Sequence, residues 1–138
     1  MTYLLDTNAC IQAINRSPGR IAERLRAHSP RAIRLSAVTK AELLYGARHS
    51  QRLAENLQLL AAFWQPFICL PFDDPCAEQY GIIRADLASR GQLIGHADLM
   101  IAATARAHDL TLVTHNIRDF SRVVGLRLED WEADPALS

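Results

Sequence analysis

The sequence predicts an α/β protein built on a parallel or mostly parallel sheet with helices on both faces. Short apolar runs alternate along the chain with segments of helical periodicity, the pattern of strands joined by crossover helices. The first run stops at Asp6-Thr7-Asn8, three good helix-capping residues, so a strand feeds directly into a helix. A chain of 138 residues, 49% of them apolar and 22% charged, has material for one packed core and too little for two. One domain over residues 1–138 is expected, because no repeat, low-complexity run or Gly/Ser linker divides it.

The elements follow in order. Tyr3 to Leu5 reads as a strand, followed by a helix over about Ala9 to Ile14. Ser17-Pro18 reads as an N-cap with proline at the first helical position, and Ile21, Ala22 and Leu25 as that helix's buried stripe. Ala32 to Ala37 resembles a second strand. Thr39-Lys40-Ala41-Glu42 has the capping-box spacing and opens a helix carrying Leu43, Leu44 and Ala47. A further helix, about Arg52 to Trp64, ends before Pro66, and a strand lies within Phe67 to Phe72. Asp74-Pro75 caps a long helix through about Ser89, with Gly91 just beyond its end. A loop, Gln92 to Gly95, leads to His96-Ala97-Asp98 and an apolar helix through about Ala107. Thr111 to Val113 is a strand ending in Thr114-His115-Asn116, and Arg127-Leu128 is a last short one.

Composition narrows the function. Net charge is zero, which argues against holding nucleic acid by bulk positive charge. Lys40 is the only lysine; the other cations are arginines, whose planar fork suits phosphate, although base composition of a genome produces the same bias. Cys10, Cys69 and Cys76 are odd in number and lack C-x-x-C spacing, so reduced thiols in a cytoplasmic protein are expected. No apolar stretch approaches the ~18 residues that span a bilayer, and the start Met1-Thr2-Tyr3-Leu4-Leu5-Asp6 lacks the basic region of a signal peptide.

The chemistry lies in acids at the ends of elements. In open parallel sheets ligands sit beyond the carboxyl ends of the strands, where Asp6 and the Thr114-His115-Asn116 turn both fall. If Asp6, Glu42 and Asp98 face one cleft, they repel one another and raise each other's pKa unless a cation holds them. Their oxygen ligands favour Mg²⁺ or Mn²⁺, ions able to polarise a phosphodiester and activate water. Each acid also has a local explanation. Asp6 serves as an N-cap, Glu42 as the capping-box partner of Thr39, Asp98 as a first-turn acid, and Asn116 and Asp119 as members of a polar turn. Their spread over three strand–helix junctions favours the cluster. Dinucleotide, P-loop and nucleophile-elbow motifs are absent, and the histidines show no zinc-protease pattern, though His96 and His115 neighbour Asp98 and Asn116.

Leu4-Leu5-Asp6-Thr7-Asn8, Ala41-Glu42-Leu43-Leu44-Tyr45-Gly46, Gly95 to Ala103 and Thr111 to Phe120 resemble, in order, the motifs of PIN-domain nucleases. With its closing Gly125-Leu126-Arg127-Leu128-Glu129-Asp130-Trp131, the chain is similar over about residues 2–131 to the VapC toxins of bacterial VapBC pairs. The resemblance implies a three-layer α/β/α sandwich and Mg²⁺- or Mn²⁺-dependent endonucleolytic cleavage of RNA, in some members tRNA. By position, Asp6 and Asp98 match the metal-binding aspartates and Glu42 the glutamate of the acidic pocket. Asn116 stands where many PIN domains carry a fourth acid, with Asp119 the nearest acid downstream, which leaves a second metal site open.

The resemblance also implies a VapB-like antitoxin, its C-terminal segment in the toxin's groove, and a homodimer. Tyr45, Phe63, Trp64 and Phe67 suit either a partner surface or the core. Arg84, Arg90 and Arg118 are candidates for holding RNA phosphates, with bases read in unpaired loops. The competing class is a binding or regulatory partner on the same scaffold that does not cleave; a structure-specific DNA nuclease would share the metal chemistry.

Overall fold

Short runs such as Tyr3-Leu4-Leu5 bury every residue because helices cover both sides of the strand. The structure, a computed structural model, describes residues 1–15 and 19–133. Its strands are β1 (Tyr3–Leu5), β2 (Ile33–Ser36), β3 (Ile68–Leu70), β4 (Thr111–Val113) and β5 (Leu128–Glu129). They pair in the order β3-β2-β1-β4-β5, and every pairing is parallel.

Side-chain alternation along the strands divides the core in two. Leu4 and Leu112 join Ile83, Leu87, Leu99 and Ile101 on one face. Tyr3, Leu5, Ile33, Leu35 and Val113 join Cys10, Ile21, Leu43, Leu60 and Trp131 on the other. The first face is covered by α5 (Asp74–Ser89) and α6 (His96–Ala107), with Phe120 from α7 (Ile117–Phe120). The second lies under α1 (Thr7–Asn15), α2 (Arg20–Arg26), α3 (Ala37–Arg48) and α4 (Leu53–Trp64). This is the expected three-layer α/β/α sandwich.

The caps correct the sequence reading in two places. Ser36, the last residue of β2, takes the N-cap of α3 by accepting from the Thr39 N–H at 3.0 Å. The helix therefore starts ahead of Thr39, and the Thr39–Glu42 capping box does not form. Asp73, rather than Asp74, caps α5 by accepting from the Cys76 N–H. At the other end of α5, Gly91 adopts φ +64, with Gln92 N–H bonded to Leu87 O and Gly91 N–H to Ala88 O. That six-to-one closure requires a left-handed residue, which glycine supplies without strain. A short 3-10 turn, Pro30–Ala32, and α7 have no counterpart in the sequence reading. The Ser17-Pro18 cap lies outside the described residues.

Strand order positions the site. The chain runs outward from β1 through β2 to β3, then returns to lay β4 against the opposite flank of β1. The carboxyl ends of β1 and β4 consequently flank the point where strand order reverses, the position where open sheets leave a crevice. Asp6 N–H bonded to Val113 O and Thr114 N–H bonded to Glu129 O carry the ladder to this rim.

Candidate active site

Asp6 follows β1 directly, and its Oδ1 accepts the Ala9 N–H at 2.8 Å, so it caps α1. It is also only 4% exposed. Burial pushes its carboxyl above the usual carboxylate range, against the opposing hydrogen bonds from Thr114 and Ala9, and the charges of Glu132 and Glu42 push the same way. A cap alone gives no reason to bury the charge.

Glu42 lies on the second turn of α3, where it caps nothing. The hydroxyls of Ser36, Thr39 and Thr7 form a chain, each step 3.3 Å, that ends with Thr7 Oγ1 donating to Glu42 Oε1. Asp98 stands in the first turn of α6, whose N-cap is Gly95 and which has no side-chain cap bond. Its carboxyl is pushed up to about 6, first by burial and then by the negative charges of Asp6, Glu42 and Asp119. Acids from α3, α6, α7 and the end of β1 thus share one field.

Asn116 is placed differently from the other three. Its side chain caps α7 by accepting from the Asp119 N–H and donates from Nδ2 to Asp119 Oδ2. Asp119 is the fourth acid of the set, sensed by Asp98, and it also lies 3.7 Å from Arg122. Among the described residues no arginine, lysine or histidine pairs with Asp6, Glu42 or Asp98. An all-oxygen, uncompensated set of this kind fits a hard divalent cation. The site's ligand atoms are more loosely grouped than those of two other trios, Asp73–Cys76–His108 and His115–Asp130–Glu132, each of which brings its atoms within 4.8 Å of one another. A loose set suits an ion that takes one or two carboxylates and keeps several waters.

The remaining candidates divide. His96 Nδ1 lies 2.7 Å from the Tyr80 hydroxyl, and Arg84 donates to that same hydroxyl at 2.9 Å. Arg90 is committed to Asp86 at 2.8 Å and to Arg122 O. Arg118 is exposed and engages none of the described side chains. Phe63, Trp64 and Phe67 pack partly against the core, whereas Tyr45 is 70% exposed. Sequence reasoning misses Thr7, Thr114 and Glu132 as neighbours of the acids; only the position of Thr114 at a strand end signals its role.

The profile of the PIN domain matches residues 3–126. The chain belongs to the PIN domain family. Within it, the chain groups with the VapC ribonucleases. It is 41% identical over 131 residues to the tRNA(fMet)-specific endonuclease VapC of Shigella flexneri, covering 95% of this chain and 98% of that one. It is 38% identical over 133 residues to ribonuclease VapC2 of Rickettsia felis, covering 96% and 99%. Among solved structures, VapBC2 of Rickettsia felis bound to a promoter DNA fragment superposes with a TM-score of 0.90 at 37% identity, covering 95% of this chain and 99% of that chain. DNA-bound VapBC of Salmonella typhimurium gives 0.90 at 39%, covering 95% and 98%.

Proposed function

We propose that this PIN domain is the toxin of a VapBC-type toxin–antitoxin pair and acts as a divalent-metal-dependent endoribonuclease, with Mg²⁺ or Mn²⁺ as the ion and a tRNA among its targets. The observation that carries the chemistry is Asp98, whose carboxyl is raised to about 6 by burial and three neighbouring acids with no basic partner among the described residues. Relatedness to VapC enzymes supports the substrate class and the partner.

Asp6 and Asp98 would hold the ion, with Glu42 completing the acidic pocket. When bound, the ion supplies Lewis acidity at the phosphodiester and makes water a competent nucleophile near neutral pH. The chain's own residues set the stage. Thr114 and the Ala9 N–H orient Asp6, leaving carboxylate lone pairs for the ligand. Thr7 fixes Glu42 at the end of the hydroxyl chain. Asp119, steadied by Asn116 and Arg122, adds negative charge that strengthens the hold on a cation. Asn116 is therefore a positioning residue in this reading.

The antitoxin's segment would lie in the apolar groove of about 270 Å³ between α1, α3 and α4, lined by Ile11, Ile14, Leu43, Leu59 and Leu60 with Glu42 at its rim. A homodimer and a cytoplasmic location belong to the same proposal; among the described residues no helix is long and apolar enough to cross a membrane. Induction of the protein alone should arrest bacterial growth with EDTA-sensitive RNA cleavage in extracts. Asp98→Asn should remove both effects, and the antitoxin should restore growth. Arrest by both proteins with intact RNA would replace the nuclease with a binding-only protein.

A further inference from the structure

Beside the acids, and separate from the apolar groove, lies a second cavity of about 450 Å³ lined by Asn8, Gln12, His115, Asn116 and Glu132. Every one of these side chains is polar. Asn8 and Gln12 are one turn apart on α1, and neither amide has a hydrogen-bond partner among the described residues. The opposite wall is fixed. His115 Nδ1 is 2.9 Å from Asp130 Oδ2 and 3.7 Å from Glu132 Oε2. The Glu132 N–H donates to Asp130 Oδ1 at 2.9 Å, and Arg20 donates to Glu132 O at 2.9 Å. Asn116 links this pocket to the acidic site, because its side chain also holds Asp119.

The charge selects the ligand. With Arg20 held at Glu132 O also counted, Asp130 and Glu132 leave this wall at net 0 when His115 is protonated and at −1 when it is neutral. A phosphate finds no net positive charge in either state and meets the Glu132 carboxylate in both. A neutral nucleobase with adjacent donors needs no such charge, and unpaired bases are commonly read through their Watson–Crick edges. Guanine alone offers neighbouring N1–H and N2 amine donors to one carboxylate, while its O6 and N7 can accept from amides. Adenine and cytosine offer one amine there, and uracil sets its single N–H between two carbonyls. We propose that this pocket receives one unpaired guanine of the substrate next to the acidic site, with Glu132 as acceptor and the amides of Asn8 and Gln12 as donors. The inference rests on the ribonuclease reading and names the base that reading leaves open.

The test is fluorescence anisotropy in EDTA with two labelled RNA pentamers, all-uridine and uridine with a central guanosine. Wild type should bind the guanosine pentamer at least about 5-fold more tightly, the lower end of discrimination by a good bidentate contact. The ratio should collapse toward one in Glu132→Gln and shrink in Gln12→Ala, with circular dichroism reporting that each variant is folded. Equal binding of the two pentamers by wild type overturns the proposal, as does an undiminished ratio in folded Glu132→Gln. A preference that appears only after Mn²⁺ is added marks a cation site at His115, Asp130 and Glu132, and overturns it too. Cleavage of the same pentamers in Mg²⁺ separates the two readings. Cutting without guanosine preference in binding refutes the pocket and keeps the ribonuclease. A guanosine preference without cutting supports the pocket and removes the ribonuclease.

Discussion

Replacing Asp98 with asparagine should stabilise the metal-free protein near neutral pH and make its stability insensitive to divalent cations. Folding raises the Asp98 carboxyl from an ordinary 3.8 to about 6. At ~1.4 kcal/mol for each tenfold change in acidity, ionisation of this group opposes folding by at most ~3 kcal/mol. Water reaching a half-buried group screens this to about 1.5 kcal/mol. The substituted amide would keep the shape and omit the charge, and no cap is lost because Asp98 makes no side-chain cap bond. The proton's stabilising contribution is complete below pH 3.8, the unfolded value, and is lost as pH rises through about 6. The gain of Asp98→Asn is therefore full at pH 7.5 and gone near pH 4. In a chain of this length about 1.5 kcal/mol corresponds to a rise of roughly 5 °C in Tm. Thermal melts in EDTA at pH 7.5 and 4 measure it. In Mg²⁺ at 100 times its Kd, wild type should gain about 2.7 kcal/mol and the variant far less. A folded Asp98→Asn that melts below wild type in EDTA at pH 7.5, or that gains as much from Mg²⁺, refutes the reasoning.

Other substitutions separate local from catalytic roles. Glu42→Gln should lower RNA cleavage on the order of 100-fold while melting no lower than wild type in EDTA, because Glu42 caps no helix and its charge only adds to the repulsion among the acids; full cleavage activity would reduce it to a bystander. Asp119→Asn should move the acidic limb of the pH–rate profile to lower pH, since one of the charges that raises Asp98 is gone. Asn116→Ala should instead cost about 1 kcal/mol of stability through the lost α7 cap, and a loss of cleavage with unchanged stability would return Asn116 to the chemistry. Ser36→Ala should cost about 1 kcal/mol in denaturant melts, whereas Thr39→Ser should cost less if Ser36 is the true cap of α3.

What the sequence makes legible is local, and what it hides depends on pairing. β1 followed by Asp6 is readable because an apolar run and a capping triplet meet at one point. The cap of α3 is not, since Ser36 and Thr39 are both capping residues. The choice between them follows from where β2 stops pairing, and Ser36 is still in register with Leu70 of β3. The placement of β4 beside β1 is likewise invisible in a linear chain, yet it brings Thr114 to Asp6. Asp119 reads locally as part of a turn and, by the family resemblance, as the nearest acid after Asn116; its effect on Asp98 requires the four-residue helix α7. Asp6 shows where capping and metal binding make different demands. Capping is satisfied by one oxygen at the surface as well as in the interior, so it explains the residue type and leaves the burial unexplained. A buried, raised carboxyl facing two further acids, with no ion-pair partner among the described residues, is costly to folding. An ion shared by Asp6 and Asp98 would remove that cost, and the same ion is what phosphodiester hydrolysis requires.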